Sequence, residues 1–291
     1  MDRQSLLAFL LIGIIIVFYP WYMSLVSPVD VSTSDEYVVE QKASFDIEET
    51  PKQQKTQSIG NNNSSPLQTI NVKTNLYDLT ISNKSGGSLI SYSLYSFSDH
   101  SDKLVNLIDE LNSNNLLLSF ISVDGDKVSL NHNWSPLSSS RTISVDKGQK
   151  SLTYSTRYQG QTIEKKLTFY PDSYNIDIDV LFNQPSKFIS RNQYNLGWSG
   201  GLPPTEKNIS NDYQFFEGFA SLGGEHMGAK PKKGKLTEES QKGSTLWSAI
   251  KTKYFISAIV PNDPGIAARV ESELVDKRPV YNTEITQSTS S

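Results

Sequence analysis

The chain has 291 residues, 27 of them basic and 31 acidic, for a formal net charge of −4, and it contains no cysteine. Disulfides and thiolate metal sites are thereby excluded, and without a basic stripe no nucleic-acid partner is expected. Ser, Asn, Thr, Tyr and Ile are abundant and helix signals scarce, which points to a mainly β fold built of strands and turns.

The first element is apolar. Leu6 to Tyr19 carries no charge, and Pro20-Trp21-Tyr22-Met23 prolongs the run to Val26. At about 1.5 Å per residue, residues 6–26 match the roughly 30 Å hydrocarbon core of a bilayer. Tyr19, Trp21 and Tyr22 fall at its far end, where amphipathic rings favour headgroups. Arg3 precedes the run and Asp30, Asp35 and Glu36 follow it, an asymmetry that places the amino terminus inside and the remainder outside. The competing reading is a cleaved secretory signal. The apolar core is long for one, and the exit Met23-Ser24-Leu25-Val26-Ser27-Pro28 sets a proline where cleavage would occur. The expectation is an uncleaved transmembrane signal anchor over residues 1–27, in contact with the lipid bilayer through residues 6–26. Residues 28–69 include Gln53-Gln54-Lys55-Thr56-Gln57 and Asn61-Asn62-Asn63-Ser64-Ser65. They bury too little apolar area to offset their ordering entropy and are expected as a flexible polar tether.

Strand patterns begin near Ile70. Leu76, Leu79 and Ile81 lead into the turn Asn83-Lys84-Ser85-Gly86-Gly87, and Leu89, Tyr92 and Leu94 resume beyond it. Leu104, Leu107, Ile108 and Leu111 share one helical face, so Lys103–Asn112 is expected as a short helix. Leu116–Val123 reads as a buried strand closed by the hairpin pair Asp124-Gly125. Leu152, Tyr154 and Tyr158 precede Gln159-Gly160, with Ile163, Leu167 and Phe169 after it. Tyr174, Ile176, Ile178, Val180 and Phe182 alternate with mostly polar residues, as in a sheet with one wet face. Tyr254–Val260 is apolar on both parities, which predicts a strand covered on both sides. Turn signals about every ten residues make residues 70–291 an antiparallel sandwich.

Several constellations carry possible chemistry. Gly197-Trp198-Ser199-Gly200-Gly201 fits the G-x-S-x-G nucleophile elbow, with Asp212 and His226 following in hydrolase order. Leu202-Pro203-Pro204 forbids the helix an elbow requires, however, so a Gly-rich loop beside a packed Trp198 is the expected structure. His100, His132 and His226 show no metal-ligand spacing, and no metal is expected. Phe215-Phe216-Glu217-Gly218-Phe219-Ala220 is read as core rather than as a docking patch. Ala229-Lys230-Pro231-Lys232-Lys233-Gly234-Lys235 is read as a solvated loop rather than a lipid-headgroup site. No catalytic, cofactor-binding or metal residue is assigned, no cofactor is expected, and the chain is read as non-enzymatic.

In their order, several segments resemble the amino-terminal part of the bacterial YidC/Oxa/Alb membrane insertase family. They are Met1-Asp2-Arg3-Gln4-Ser5 with its apolar run, Leu79-Thr80-Ile81-Ser82-Asn83-Lys84-Ser85-Gly86-Gly87-Ser88-Leu89-Ile90-Ser91, Leu167–Ile176, Asn195-Leu196-Gly197-Trp198 and Trp247–Pro261. The resemblance implies a periplasmic β-supersandwich similar in shape to sugar mutarotases, in which His226 with Glu225 or Glu217 would be the acid–base candidates; a satisfied loop histidine is the expected reading of His226. It implies a location in the bacterial inner membrane, with the residues after about 27 periplasmic. It further implies membrane insertion and folding of nascent integral membrane proteins, with or without Sec translocon components. By family proportions the domain is expected to be incomplete at its carboxyl end, making the chain a fragment or a truncated product. The alternatives are a stand-alone envelope interaction module, or an anchored carbohydrate-binding protein with a cleft lined by Trp198 and carboxylates.

Overall fold

The computed structural model describes residues 56–58, 65–112 and 114–289. The expected membrane anchor and most of the expected tether lie outside these residues. In chain order the strands are β1 (Thr56–Ser58), β2 (Thr69–Lys73), β3 (Tyr77–Ser82), β4 (Ser88–Ser98), β5 (Leu104–Asn106), β6 (Leu117–Ser122), β7 (Lys127–Ser129), β8 (Ser135–Pro136), β9 (Thr142–Ser144) and β10 (Lys150–Tyr158). They continue as β11 (Gln161–Phe169), β12 (Ile176–Phe182), β13 (Ile189–Trp198), β14 (Glu217–Leu222), β15 (Glu225–Gly228), β16 (Thr237–Lys251), β17 (Ile256–Ile259), β18 (Gly265–Val275) and β19 (Arg278–Ser288). One short α-helix, α1 (Ile209–Asp212), precedes β14. Among the described residues no helix is long and apolar enough to cross a membrane.

The mainly antiparallel β class holds. A ten-stranded sheet runs β1-β7-β6-β13-β19-β18-β16-β14-β15, with β17 pairing β16; a four-stranded sheet runs β12-β11-β10-β8 and a five-stranded one β5-β4-β3-β2-β9. Two pairings are parallel, β1 with β7 and β2 with β9. The first of these places Thr56–Ser58, expected within the tether, on the edge of the large sheet.

The three sheets share one apolar core. Leu79 and Ile81 from β3, Leu118 and Phe120 from β6, Leu152 and Tyr154 from β10, and Leu167 and Phe169 from β11 are all almost fully buried in it. A fully buried side chain of this kind stabilises the fold by about 1.5–3 kcal/mol over its exposed state. A smaller cluster, Ala220, Leu222, Ala229, Ala268 and Val270, fills the β14–β18 end of the large sheet.

Local chemistry explains the turns. Gln159 (φ 48°) and Gly160 (φ 76°) join β10 to β11 through two left-handed residues, and Asp276 (φ 48°) and Lys277 (φ 72°) do the same between β18 and β19. Such turns match the twist of the flanking strands. The turn at Gly86 needs glycine for two reasons. Its φ is +68°, and an added Cβ would lie 2.6 Å from the Trp134 ring.

Two expectations fail. Lys103–Asn112 is not a helix: Leu104–Asn106 is the strand β5, and only Glu110–Asn112 makes a 3₁₀ turn. Ten residues do not sustain an isolated helix, and Asn106 supplies a better local solution. Its side-chain oxygen accepts from Tyr92 N (2.7 Å) on β4 and from Ile108 N (3.2 Å), so Val105 and Ile108 become buried and Leu104 faces solvent. Nor is Tyr254–Val260 covered on both sides. Among the described residues β17 pairs only with the end of β16, and Tyr254, Ile256 and Val260 are exposed. Periodicity reports side-chain parity, not whether a second layer exists to cover it.

The one-wet-face reading of β12 holds in alternation. Asp177, Asp179 and Leu181 are exposed while Ile176, Ile178 and Val180 are half-buried against the core, although Tyr174 precedes the strand.

Candidate functional site

Strand parity sorts the large sheet into two faces. Leu196 and Trp198 on β13, Ala268 and Val270 on β18, and Ile285 on β19 point into the interior, half-buried or buried. The alternate residues form a polar outer face. One cross-strand row reads Ser240, Arg269, Glu284, Gly197 and Leu117, and its neighbour includes Glu238, Glu271 and Asn282. Arg269 is the hub, with Nη2 2.5 Å from Glu271 and 2.8 Å from Glu238. Asn282 donates to Glu271 Oε2 (3.1 Å) and accepts from Gly200 N (2.9 Å), tying the Ser199–Gly201 loop to the row. Ser199, Glu271, Glu284 and Arg269 border a cavity of about 60 Å³. Desolvation by burial raises the Glu284 carboxyl above its ordinary range, against the opposing pull of Lys127 and Arg269. The face can hold a small polar group or water, and Arg269 is already paired with Glu238 and Glu271.

The elbow candidates are not brought together as a triad. Trp198 is buried and its indole N–H donates to Gly201 O (3.0 Å), so the Gly-rich loop wraps a packed ring. Asp212, at the end of α1, is buried and accepts from Thr205 N (2.8 Å) and Glu206 N (3.2 Å); it fixes a loop. His226, on β15, lies edge-on to Trp247 (5.3 Å) and tilted against Phe219 (6.0 Å). Glu217 pairs with Lys251 at 2.7 Å. These residues belong to the outer surface of β14–β16 and do not converge on the cavity beside Ser199. The remaining histidines are similarly occupied. His100 Nδ1 lies 3.3 Å from Thr205 O and His132 Nε2 2.7 Å from Thr156 Oγ1. Among the described residues no three His, Asp or Glu side chains gather as metal ligands. The core reading of Phe215–Ala220 holds for Phe216 and Ala220, whereas Phe215 is exposed, with Lys253 over its ring at 5.7 Å. The lysines of Ala229–Lys235 are exposed, as expected of a solvated loop.

One buried cation belongs to no sequence motif. Lys165 on β11 is fully buried, and its ammonium donates to Ser85 O and Leu116 O, both at 2.6 Å, while lying 5.6 Å from the Trp134 ring centroid. Burial without a carboxylate lowers its pKa from 10.5 to about 7. The side chain joins three sheets, since Ser85 lies in the β3–β4 turn and Leu116 leads into β6. The available signal was parity. Lys165 falls in step with Ile163, Leu167 and Phe169, on the apolar side of its strand.

The comparisons with known proteins agree with this architecture. A family model described as the YidC periplasmic domain matches residues 69–290. The Chlorobium luteolum protein named Membrane protein insertase YidC is 31% identical over 196 residues, 66% of this chain and 33% of that protein. Its namesake in Chlorobaculum parvum is 28% identical over 274 residues, 90% of this chain and 46% of that one. That of Chloroherpeton thalassium is 25% identical over 278 residues, 90% and 47% of the two. The chain thus spans between a third and a half of the length of these relatives. With the domain model covering nearly all of its β-sandwich, the chain belongs to the YidC family through its periplasmic domain.

Proposed function

We propose that this chain supplies the anchor and periplasmic domain of a membrane protein insertase, which inserts integral membrane proteins and assists their folding, alone or beside the Sec translocon. The observation that carries the reading is the match of the YidC periplasmic domain over residues 69–290, preceded by the apolar run Leu6–Val26. In this reading residues 1–27 anchor the chain in the bacterial inner membrane with the amino terminus cytoplasmic. Residues 28–69 tether it, and residues 70–291 stand in the periplasm.

The physical task of an insertase is to lower the cost of bringing unsatisfied polar groups through lipid, several kcal/mol for each. That task needs a hydrophilic path and no bond chemistry. A non-enzymatic role is supported by the way the candidate acids and bases of this domain are committed elsewhere: Asp212 to a loop backbone, Glu217 to Lys251, and Glu271 to Arg269. A carbohydrate-binding role has less support, because the Trp198 ring is buried and offers no face for a sugar.

Vesicles reconstituted with the full-length gene product should protect the spanning segment of a newly synthesised membrane protein from protease. Protection no greater than in protein-free vesicles would refute the insertase reading. Protease added outside spheroplasts should cleave this domain; a protected domain would refute its placement.

A further inference from the structure

The β16–β17 corner gathers large apolar side chains that the fold leaves uncovered. Phe97, Tyr174, Phe215, Tyr254, Ile256 and Val260 range in exposure from 42% for Tyr174 to 67% for Val260. They are not scattered. The Phe97 ring lies 6.5 Å from Tyr174 and meets half-buried Phe255 edge-on at 5.7 Å. Lys253, two residues earlier, lies over both Phe215 (5.7 Å) and Tyr254 (4.8 Å). Ile256 and Val260 share the exposed parity of β17 and its continuation. Four separate parts of the chain, the end of β4, the β11–β12 connection, the α1–β14 connection that carries Phe215 and the β16–β17 hairpin, thus build one aromatic ridge. Soluble surfaces rarely carry such contiguous apolar patches without a use.

We propose that this ridge rests on a lipid bilayer surface. Phe and Tyr rings with a lysine among them have the chemistry of the headgroup boundary, where an apolar body enters and a polar tip stays wet. The Lys253 ammonium is held by Glu206 at 2.9 Å, and the Tyr254 hydroxyl donates to the same carboxylate. The polar tips are therefore tied back, leaving the ring faces and Ile256 outward. A protein strand adding to this edge fits less well. β17 has four residues and is followed closely by Pro261, both features that blunt edge pairing.

The chain's own sequence brings a bilayer within reach, and here the proposal rests on the anchor reading above. The described chain enters at Thr56 on β1, paired with Lys127 of β7, and returns at Ser65, hydrogen-bonded to Asn133. That end of β3–β4 is the Asn83 end, because Gln68 N donates to the Asn83 side chain. Phe97 lies at the opposite end of β4, about 30 Å away at 3.3–3.4 Å per residue. Residues 27–55, fully extended, cover about 100 Å, so the anchor and the ridge can occupy the same membrane.

The absence of cysteine allows a clean test. The full chain is reconstituted in vesicles as I256C or, for control, L137C, each carrying one environment-sensitive fluorophore; Leu137 is also well exposed but lies near β8, away from the ridge. Flotation after an alkaline wash reads the anchor separately. The expected result is a chain that floats, with the fluorophore at 256 quenched several-fold more by nitroxide lipid than that at 137, and shielded from iodide. Equal quenching at both positions would overturn the proposal. So would shielding from iodide at 256 without quenching by nitroxide lipid, which would assign the ridge to a second copy or another protein. A chain that does not float would overturn both the anchor reading and the proposal. A chain that floats with its ridge in water would overturn the proposal alone.

Discussion

Replacing Lys165 by methionine tests whether the domain is held together by a cation with no counter-ion. Methionine keeps most of the side-chain volume and removes the two 2.6 Å bonds to Ser85 O and Leu116 O. Two buried carbonyls then lose their partner, at about 1–3 kcal/mol each. Opposing this is the cost of burying the ammonium, which depends on pH. The folded pKa of about 7 lies below the ordinary 10.5. Below pH 7 both states hold the proton and the native protein bears the full desolvation cost. Between pH 7 and 10.5 the unfolded chain binds more protons, so wild-type stability rises with pH. At about 1.4 kcal/mol per unit, the wild type should gain roughly 2 kcal/mol over the methionine variant between pH 6 and pH 8.5. A neutral amine retains two N–H groups, so both hydrogen bonds survive deprotonation. The assay is thermal unfolding of both proteins at the two pH values, followed by tryptophan fluorescence with Trp134 as a reporter beside the ammonium. For a domain of this size the widening gap corresponds to about 4–8 °C in Tm. A gap independent of pH would show that Lys165 is already neutral, or hydrated, throughout this range, and the reasoning would fail.

Other perturbations follow from the same geometry. Gly86→Ala adds a Cβ 2.6 Å from the Trp134 ring at a φ of +68°, and chemical denaturation should show a loss of about 2–4 kcal/mol; a loss below 0.5 kcal/mol, the scale of an ordinary surface change, would contradict the packing. Arg278 bonds Asp109 Oδ2 at 2.5 Å and Leu202 O at 2.6 Å with little exposure. Arg278→Ala should therefore cost about 3 kcal/mol by leaving a partly buried carboxylate short of a partner, and an unchanged Tm would refute this. The raised Glu284 pKa means that folding favours its neutral form, a contribution present at low pH and lost as pH rises through the folded value. Glu284→Gln should accordingly raise Tm at pH 8 and leave it nearly unchanged at pH 4; the opposite order would overturn the desolvation argument.

The sequence by itself determined the strands whose alternation and turns agree. Asn83–Gly87, Asp124-Gly125 and Gln159-Gly160 all close hairpins or tight turns where their residue types demand left-handed or compact backbone. The apolar parities of β3, β6, β10 and β11 became the core. The sequence also carried the family, because the order of several weak motifs is more specific than any one of them. Long strands at the carboxyl end were harder to read. β18 and β19 meet at Asp276-Lys277, which lacks a glycine, and their outer parity carries Arg269, Glu271 and Glu284.

Only the tertiary structure decided what covers each face. The apolar parities that bury β3 leave β17 exposed, because among the described residues β17 lies at an edge with no layer over its outer side. Period two states which residues share a side, and the neighbouring sheet decides whether that side meets core or water. The same reasoning separates Lys165 from its neighbour Lys166. One is sealed under three sheets against two carbonyls, while the other reaches Asp179 on the surface. Burial, and with it the shifted proton affinity, comes from chain segments 49 and 80 residues away, a distance local sequence pattern does not span.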